Sequence, residues 1–380
     1  MTGSWMGFAV GAAGLAAAGW AFGRSRRAAS LRTPRGTAAA PARATPVSAS
    51  PVPTAERPPT FAPRALPDAL AEFRWETPRD LPAPVLERHA QALRSIPRPP
   101  RALHQLLSHD FIWKANSSDL AELVRNEPLV AAKVLARVHS PAYGVAGTVT
   151  KIGQAITLLG MTAVRNICLR YLLDESFKSD DPQAVRSFEA LGEASTLGSE
   201  LAQQLAQRLS WPDPANASTL VLLSFTGHLA AVLLQVRHYP GERLAQPDAL
   251  LPRVRDQQQV LGLPAAELGR LLMQGWQLPT DLIDEVAWID RLLVTPVDAA
   301  PPGRAAEFAL AYLSARLADR AVAGTLPDDP AALGELLGTD PDFHHLHGYL
   351  ALPALRELPQ LLMTPGPLAG LQARHAPSAT

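Results

Sequence analysis

The chain has 380 residues, 47% apolar and 18% charged, and its 35 Lys plus Arg equal its 35 Asp plus Glu. That length can bury a substantial core, and the zero net charge argues against a nucleic-acid-binding body, which would carry a basic excess. The single cysteine, Cys168, excludes an internal disulfide and suits a reducing compartment.

Residues 5–22 read WMGFAVGAAGLAAAGWAF, with no charged side chain. As a helix this run spans roughly 27 Å, about the thickness of a hydrocarbon core. Trp5 and Trp20 lie near its ends, where interfacial aromatic residues belong. Arg24, Arg26, Arg27, Arg32, Arg35 and Arg43 follow, and no acidic residue precedes Glu56. The positive-inside rule then predicts a single-pass anchor with the N-terminus outside and the body in the cytoplasm. A cleaved signal peptide, a transit peptide and a segment that fails to insert remain alternatives. The first lacks a basic leader, and the second would be amphipathic. Gly7 and Gly11 form a GxxxG pair, which would allow two anchors to approach closely as a homodimer.

Residues 23–77 are rich in Pro, Ala and Arg, with nine prolines between Pro34 and Pro67. The whole is expected to be a disordered linker, and within it residues 30–67 cannot bury a core and are expected to be an extended, solvated spacer. At the rise of polyproline chain, it would hold the body on the order of 100 Å from the membrane at full stretch.

From about residue 80 the apolar spacing is helical. Asp119 and Glu122 suggest a capping box, and Pro128 suits the first turn of a helix that stops at Ser140-Pro141. Thr150 is expected to cap a helix carrying Ile152, Ala155, Ile156 and Leu159, ended by Gly160. Thr162 is expected to start the next, with Val164, Ile167, Cys168 and Tyr171 on one face. Helix follows helix without alternating strands, so the class is all-α. Asp328-Asp329-Pro330 and Asp340-Pro341 break the C-terminal residues 326–380 into short helices, as a small unit of their own or as part of the main body.

Three phrases then stand in a meaningful order. SIPRPPRALHQLL is followed by SSDLAELVRNEPLVAAKVLARVHSPAYG and by TVTKIGQAITLLGMTAVRNICL. Together they resemble the first half of an HDOD domain, the HD-related output domain of bacterial signalling proteins; His139 stands where that family often has Asn. The similarity continues through WPDPANASTLVLLSFTGHLAAVLL and VLGLPAAELGRLLMQGWQLPTDLIDEVAWID to about residue 290. The matching positions include Pro128, Tyr143, Gly144, Gly160, Arg165, Asn166, Gly227, Gly269, Trp276 and Pro279. The resemblance implies a multi-helix HD-like bundle over residues 78–325, clearest over 95–290.

It also implies where metal ligands would stand in an active HD phosphohydrolase, whose metal polarises phosphate and activates water. The His-Asp dyad falls on Ser224 and Phe225, the preceding histidine near Ala194, the later one near Ala265, and the terminal pair near Ile289 and Asp290. Phe225, Ala194 and Ala265 cannot ligate a metal, so neither catalysis nor a cofactor is expected. His344, His345 and His347 read as a solvated polar turn, and His228, with no carboxylate nearby in sequence, reads as structural or surface. Cys168 reads as an inert core residue. Trp211, Trp276 and Trp288 read as packing residues rather than a stacking platform.

The resemblance therefore points to a non-catalytic signalling or scaffolding module that binds an unknown protein partner at the bacterial inner membrane. Arg165 and Asn166 are expected to brace the inter-lobe junction through hydrogen bonds to backbone carbonyls. The alternatives are a divergent HD-type phosphohydrolase, a nucleotide sensor using the vestigial pocket, and, less favoured by the charge balance, a nucleic-acid regulator.

Overall fold

The computed structural model describes residues 65–371, apart from residues 100, 109–110, 112–113, 140–148, 240, 242–247, 365, 367 and 369–370. The expected anchor at residues 5–22, most of the spacer, Tyr143 and Gly144 lie outside the described residues.

The described chain is helical throughout, and no strand occurs among the described residues. A short α1 (Asp68–Ala71) and α2 (Ala83–Arg94) lead into five helices of the N-terminal half. These are α3 (Arg101–Leu107), α4 (Ser117–Arg125), α5 (Pro128–Val138), α6 (Ile152–Leu159) and α7 (Met161–Ser176). Two long helices, α8 (Pro182–Arg208) and α9 (Pro214–His238), form the central hairpin. Then come α10 (Leu250–Leu261), α11 (Ala265–Gly275), α12 (Thr280–Arg291) and α13 (Ala305–Ala323). The chain closes with α14 (Pro330–Thr339), α15 (Leu346–Leu350) and α16 (Leu358–Leu362).

Both hairpin helices start by the same device. Asp181 and Asp213 precede prolines at the first helical position, where a missing N–H costs nothing. Each carboxylate accepts from the next free amides: Asp181 from Gln183 N (2.9 Å) and Ala184 N (2.8 Å), Asp213 from Ala215 N (3.1 Å) and Asn216 N (3.2 Å). Helix α9 is buried on every side from Ala217 to Gln235. Among the described residues it is also the helix long and apolar enough to cross a membrane. Its burial by α7, α8 and α10–α13 marks it as the core helix of the bundle. Helix α13, buried from Phe308 to Arg320, packs along α8 and α9 and completes this core.

Several local expectations are corrected. The capping box of α4 is Asn116 with Asp119, not Asp119 with Glu122. Asn116 Oδ1 accepts from Ser118 N and Asp119 N, while Asp119 accepts from Asn116 N (2.9 Å). Lys151, not Thr150, is the N-cap of α6 and makes no side-chain cap bond. Helix α7 begins at Met161 rather than Thr162, because Gly160 alone makes the turn, at φ 84°, a region costly for other residues.

Residues 65–77, read as the end of a disordered linker, are ordered against the body at particular points although many of their side chains stay exposed. Leu70 is in the core, Trp75 Nε1 donates to Glu267 (3.3 Å) and Glu76 N to Gln258 (3.2 Å). Residues beyond 325 also pack on the bundle. Asp342 accepts from the free amides of Leu250 (2.6 Å) and Leu251 (2.9 Å) at the start of α10, and Tyr312 donates to its carbonyl (2.6 Å).

Candidate functional site

The positions that would carry HD ligands are held by α8, α9, α11 and α12. Ala194, Phe225, Ala265 and Ile289 are all buried hydrophobic positions. Ser224 turns its hydroxyl onto its own helix, donating to Val221 O (2.8 Å). Asp290 is the one carboxylate of the set, and it is buried.

Around Asp290 the fold builds a chain of polar contacts. Ala265 N donates to Gln257 Oε1 (2.9 Å), and Gln257 Nε2 meets His228 Nδ1 at 3.2 Å. His228 Nε2 meets Asp290 Oδ2 at 2.8 Å. These partners fix the tautomer: Nδ1 accepts from the amide, so Nε2 carries the hydrogen and donates to the carboxylate. Arg316 reaches Asp290 Oδ1 at 3.4 Å and Asp319 at 3.1 Å, and Asp319 also pairs with Arg253 at 3.2 Å. The Arg316 guanidinium lies over the rings of Phe225 (5.9 Å) and Tyr312 (5.7 Å), a cation–π arrangement. Two arginines thus balance two aspartates, with a neutral imidazole between Asp290 and Gln257.

Protonation follows from this surrounding. Burial pushes His228 down, outweighing Asp290, so the imidazole stays neutral. Burial alone would raise Asp290, but Arg316, His228 and Arg253 overcome it and hold the carboxyl at about 2. Burial lowers Arg316, yet Asp319 and Asp290 more than restore it and keep it charged.

This arrangement does not fit an HD metal centre. Among the described residues no group of three or more His, Cys, Asp or Glu is placed to hold a metal ion. Alkyl and aryl side chains stand at four mapped positions; Asp290 Oδ2 is taken by His228, and Oδ1, which accepts no hydrogen bond, lies 3.4 Å from the Arg316 guanidinium. A guanidinium supplies the positive charge against the surviving carboxylate.

His228 takes the structural rather than the surface alternative of its reading: it is buried, and its carboxylate partner, Asp290, lies 62 residues away in sequence but in contact in space. Arg253, Gln257, Arg316 and Asp319 were not singled out from the sequence. The signal for Arg316 and Asp319 was present as charges within an otherwise apolar helical stripe, LAYLSARLADRAV. The histidines near residue 345 are not a solvated turn: His347 Nε2 contacts Leu337 O (2.7 Å), and burial lowers His345 to about 4.

The family-motif positions do structural work nearby. Arg165 is buried and donates through Nε to Leu106 O (3.1 Å), the backbone-carbonyl bracing expected of it. Burial lowers its pKa to about 10, with Asp213 opposing. Asn166 is corrected: among the described residues it bonds no backbone carbonyl as expected of it, and its Nδ2 ties three helices through the hydroxyls of Ser199 on α8 (2.9 Å) and Ser218 on α9 (2.6 Å). Gly227 and Gly269 mark the closest approach of α9 and α11, where a Cβ on Gly227 would lie 2.1 Å from Ala265 O. Trp276 is buried with its ring edge toward Phe177 (6.2 Å), and Pro279 precedes α12. His139 caps α5, its Nδ1 facing Leu135 O (2.7 Å) while Nε2 accepts from Val149 N (3.0 Å). Cys168 is fully buried, which pushes its thiol up to about 12.

An all-helical bundle with an HD-like arrangement and an ion cluster in place of the ligand set defines the class as a degenerate relative of HD domains. The HDOD domain family model matches residues 96–292, just over half of the chain, and the chain belongs to that family. Solved structures from Geobacter sulfurreducens and Marinobacter aquaeolei share the fold. An HDOD domain protein of unknown function from Geobacter sulfurreducens aligns at 17% identity and TM-score 0.51, over 77% of this chain and 98% of that one. A candidate signal transduction protein from Marinobacter aquaeolei VT8 aligns at 18% identity and TM-score 0.50, over 81% of this chain and 67% of that one. A phosphohydrolase candidate from Shewanella amazonensis SB2B aligns at 20% identity and TM-score 0.49, over 76% and 97%. No curated protein matches the chain significantly.

Proposed function

We propose that this HDOD protein is a non-catalytic signalling scaffold that binds another protein at the cytoplasmic face of a bacterial inner membrane. The observation that carries the catalytic silence is the Arg316–Asp290–His228 cluster. It engages the one remaining carboxylate of the HD set, and the other mapped positions offer no ligand capable of polarising phosphate. The name of the Marinobacter relative agrees with a signalling role. The membrane part of the proposal rests on the uncharged run at residues 5–22 and the arginines that follow it.

The test is elemental analysis of the purified full chain together with phosphomonoesterase and phosphodiesterase assays in added manganese or magnesium. The expected result is no stoichiometric transition metal and no turnover above buffer. One tightly bound metal per chain, with hydrolysis abolished by Asp290→Asn, would overturn the reading. Fractionation of cells expressing the full chain, or a chain lacking residues 5–22, tests the anchor. The first should pellet with membranes and the second should not. Crosslinking from solubilised membranes then identifies the partner.

A further inference from the structure

A cleft of about 600 Å³, within the size range of small-molecule sites, opens between the N-terminal helices and α8. It shares no residue with the ion cluster. One wall, from α5 to α7, carries an apolar strip of Ala136, Leu159, Ala163 and Ile167 among charged and polar side chains. The facing wall, from α8, is polar and presents Gln203, Gln204 and Gln207. A molecule filling it would need one apolar face and one hydrogen-bonding face.

Charge adds a further requirement. Arg137 pairs with Glu200 across the cleft (2.6 Å), and Arg170 with Asp174 (2.7 Å). Lys133, exposed on the same wall, is in no salt bridge among the described residues, although its charge reaches the Asp174 carboxyl, and the three cations of the lining exceed its two carboxylates, Asp174 and Glu200, by one. Arg170 is fixed in place. Its NH1 donates to Ser195 Oγ (3.0 Å), and its guanidinium lies where a Cβ on Gly192 would stand, about 1.6 Å from NH2. Gly192 therefore lets a cation lie flat on α8 at the cleft, already ordered before any ligand arrives. At the floor, Asn166 Oδ1 is buried without a hydrogen-bond partner.

We propose that this cleft binds a small amphipathic organic anion. Its apolar body lies on Ala136 and Ile167, its anionic head meets Lys133 beside the ordered Arg170, and its polar edge meets the glutamines of α8. The site is independent of catalytic silence, since a scaffold with an empty cleft would still bind its partner.

The probe is naphthalene-2-sulfonate, with the isosteric, uncharged naphthalene-2-sulfonamide as its counterpart. Both are titrated calorimetrically into the full chain in lipid nanodiscs, with empty nanodiscs as blank. The sulfonate should bind saturably at one site per chain, and more tightly than the sulfonamide. Lys133→Glu should weaken the sulfonate roughly tenfold or more while leaving the sulfonamide nearly unchanged. Ala136→Trp, at an exposed wall position, should abolish both without lowering the melting temperature. Displacement by octanoate would mark a carboxylate-headed ligand, and displacement by adenosine monophosphate a phosphate-headed one. Absence of saturable binding, equal affinity for the two probes, indifference to Lys133→Glu or to Ala136→Trp, or displacement by neither anion would overturn the proposal.

Discussion

Arg316 is a guanidinium with no exposed surface, held by Asp290 and Asp319 and by two aromatic faces. Removing one member of a buried ion cluster leaves the others charged and unpaired, which costs more than the cluster contributes as a whole. Arg316→Met should therefore destabilise the body by about 3–5 kcal/mol, read as a drop in the urea midpoint. Asp290 gives a pH signature. Its folded pKa, about 2, lies below the ordinary 3.8. The stability it contributes is therefore present above about pH 4 and is lost as pH falls towards 2. The difference corresponds to about 2 kcal/mol. Acid unfolding of Asp290→Asn should lack this component, which paired melts at pH 5 and pH 2.5 would show. At Arg165, replacement by Ala removes the bond to Leu106 O and leaves a buried carbonyl unpaired, at a cost of about 1–3 kcal/mol in thermal or urea melts. An unchanged melting temperature would dismiss its bracing role. Arg165, Asn166 and the replaced dyad positions were legible because their motifs are local. His228–Asp290 was not, because 62 residues separate partners that only the packing of α9 against α12 brings together.

Helix pairs show which sequence signals are robust. The Asp-Pro pairs at 181–182, 213–214 and 329–330 each start a helix, since proline fixes φ and the carboxylate takes the free amides. Threonines at 150 and 162 made weaker signals and were passed over by the chain. The crossing of α9 and α11 depends on two glycines in contact. A methyl at Gly227 would meet Ala265 backbone at 2.1 and 2.7 Å, atoms that cannot move without parting the helices. At Gly269 the nearest atoms lie at 3.0 and 3.1 Å. Gly227→Ala should thus cost about 3 kcal/mol or more, and Gly269→Ala about 1 kcal/mol, compared by urea melts of the two variants. Equal, small effects would show that the helices part easily.

For the molecule as a whole, the ends of the folded body matter. The sequence placed the domain at 78–325, but residues 65–77 cover α10 and α11, and the segment after 325 supplies Asp340 and Asp342 to Arg320 and to the start of α10. A fragment spanning 65–371 should melt cooperatively, whereas 78–325 should aggregate or melt at a much lower temperature, as circular dichroism would show. His89, His228, His344 and His345 are all lowered by burial below their ordinary 6.5. The unfolded chain therefore binds more protons below that value, so stability should decline as pH falls from 7 to 5. Ring titrations by NMR in the folded chain that showed these histidines protonating at or above 6.5 would contradict their burial.

By itself the sequence determined the helical class and the family. These rest on periodicity, on caps within four residues, and on motifs whose members lie close along the chain. Only the tertiary structure decided what fills the vestigial centre, where the body ends, and that α13 lies at its heart. Those depend on which faces of α9, α12 and α13 meet. Buried charges such as Arg316 and Asp319 are tolerated only once that meeting supplies their partners.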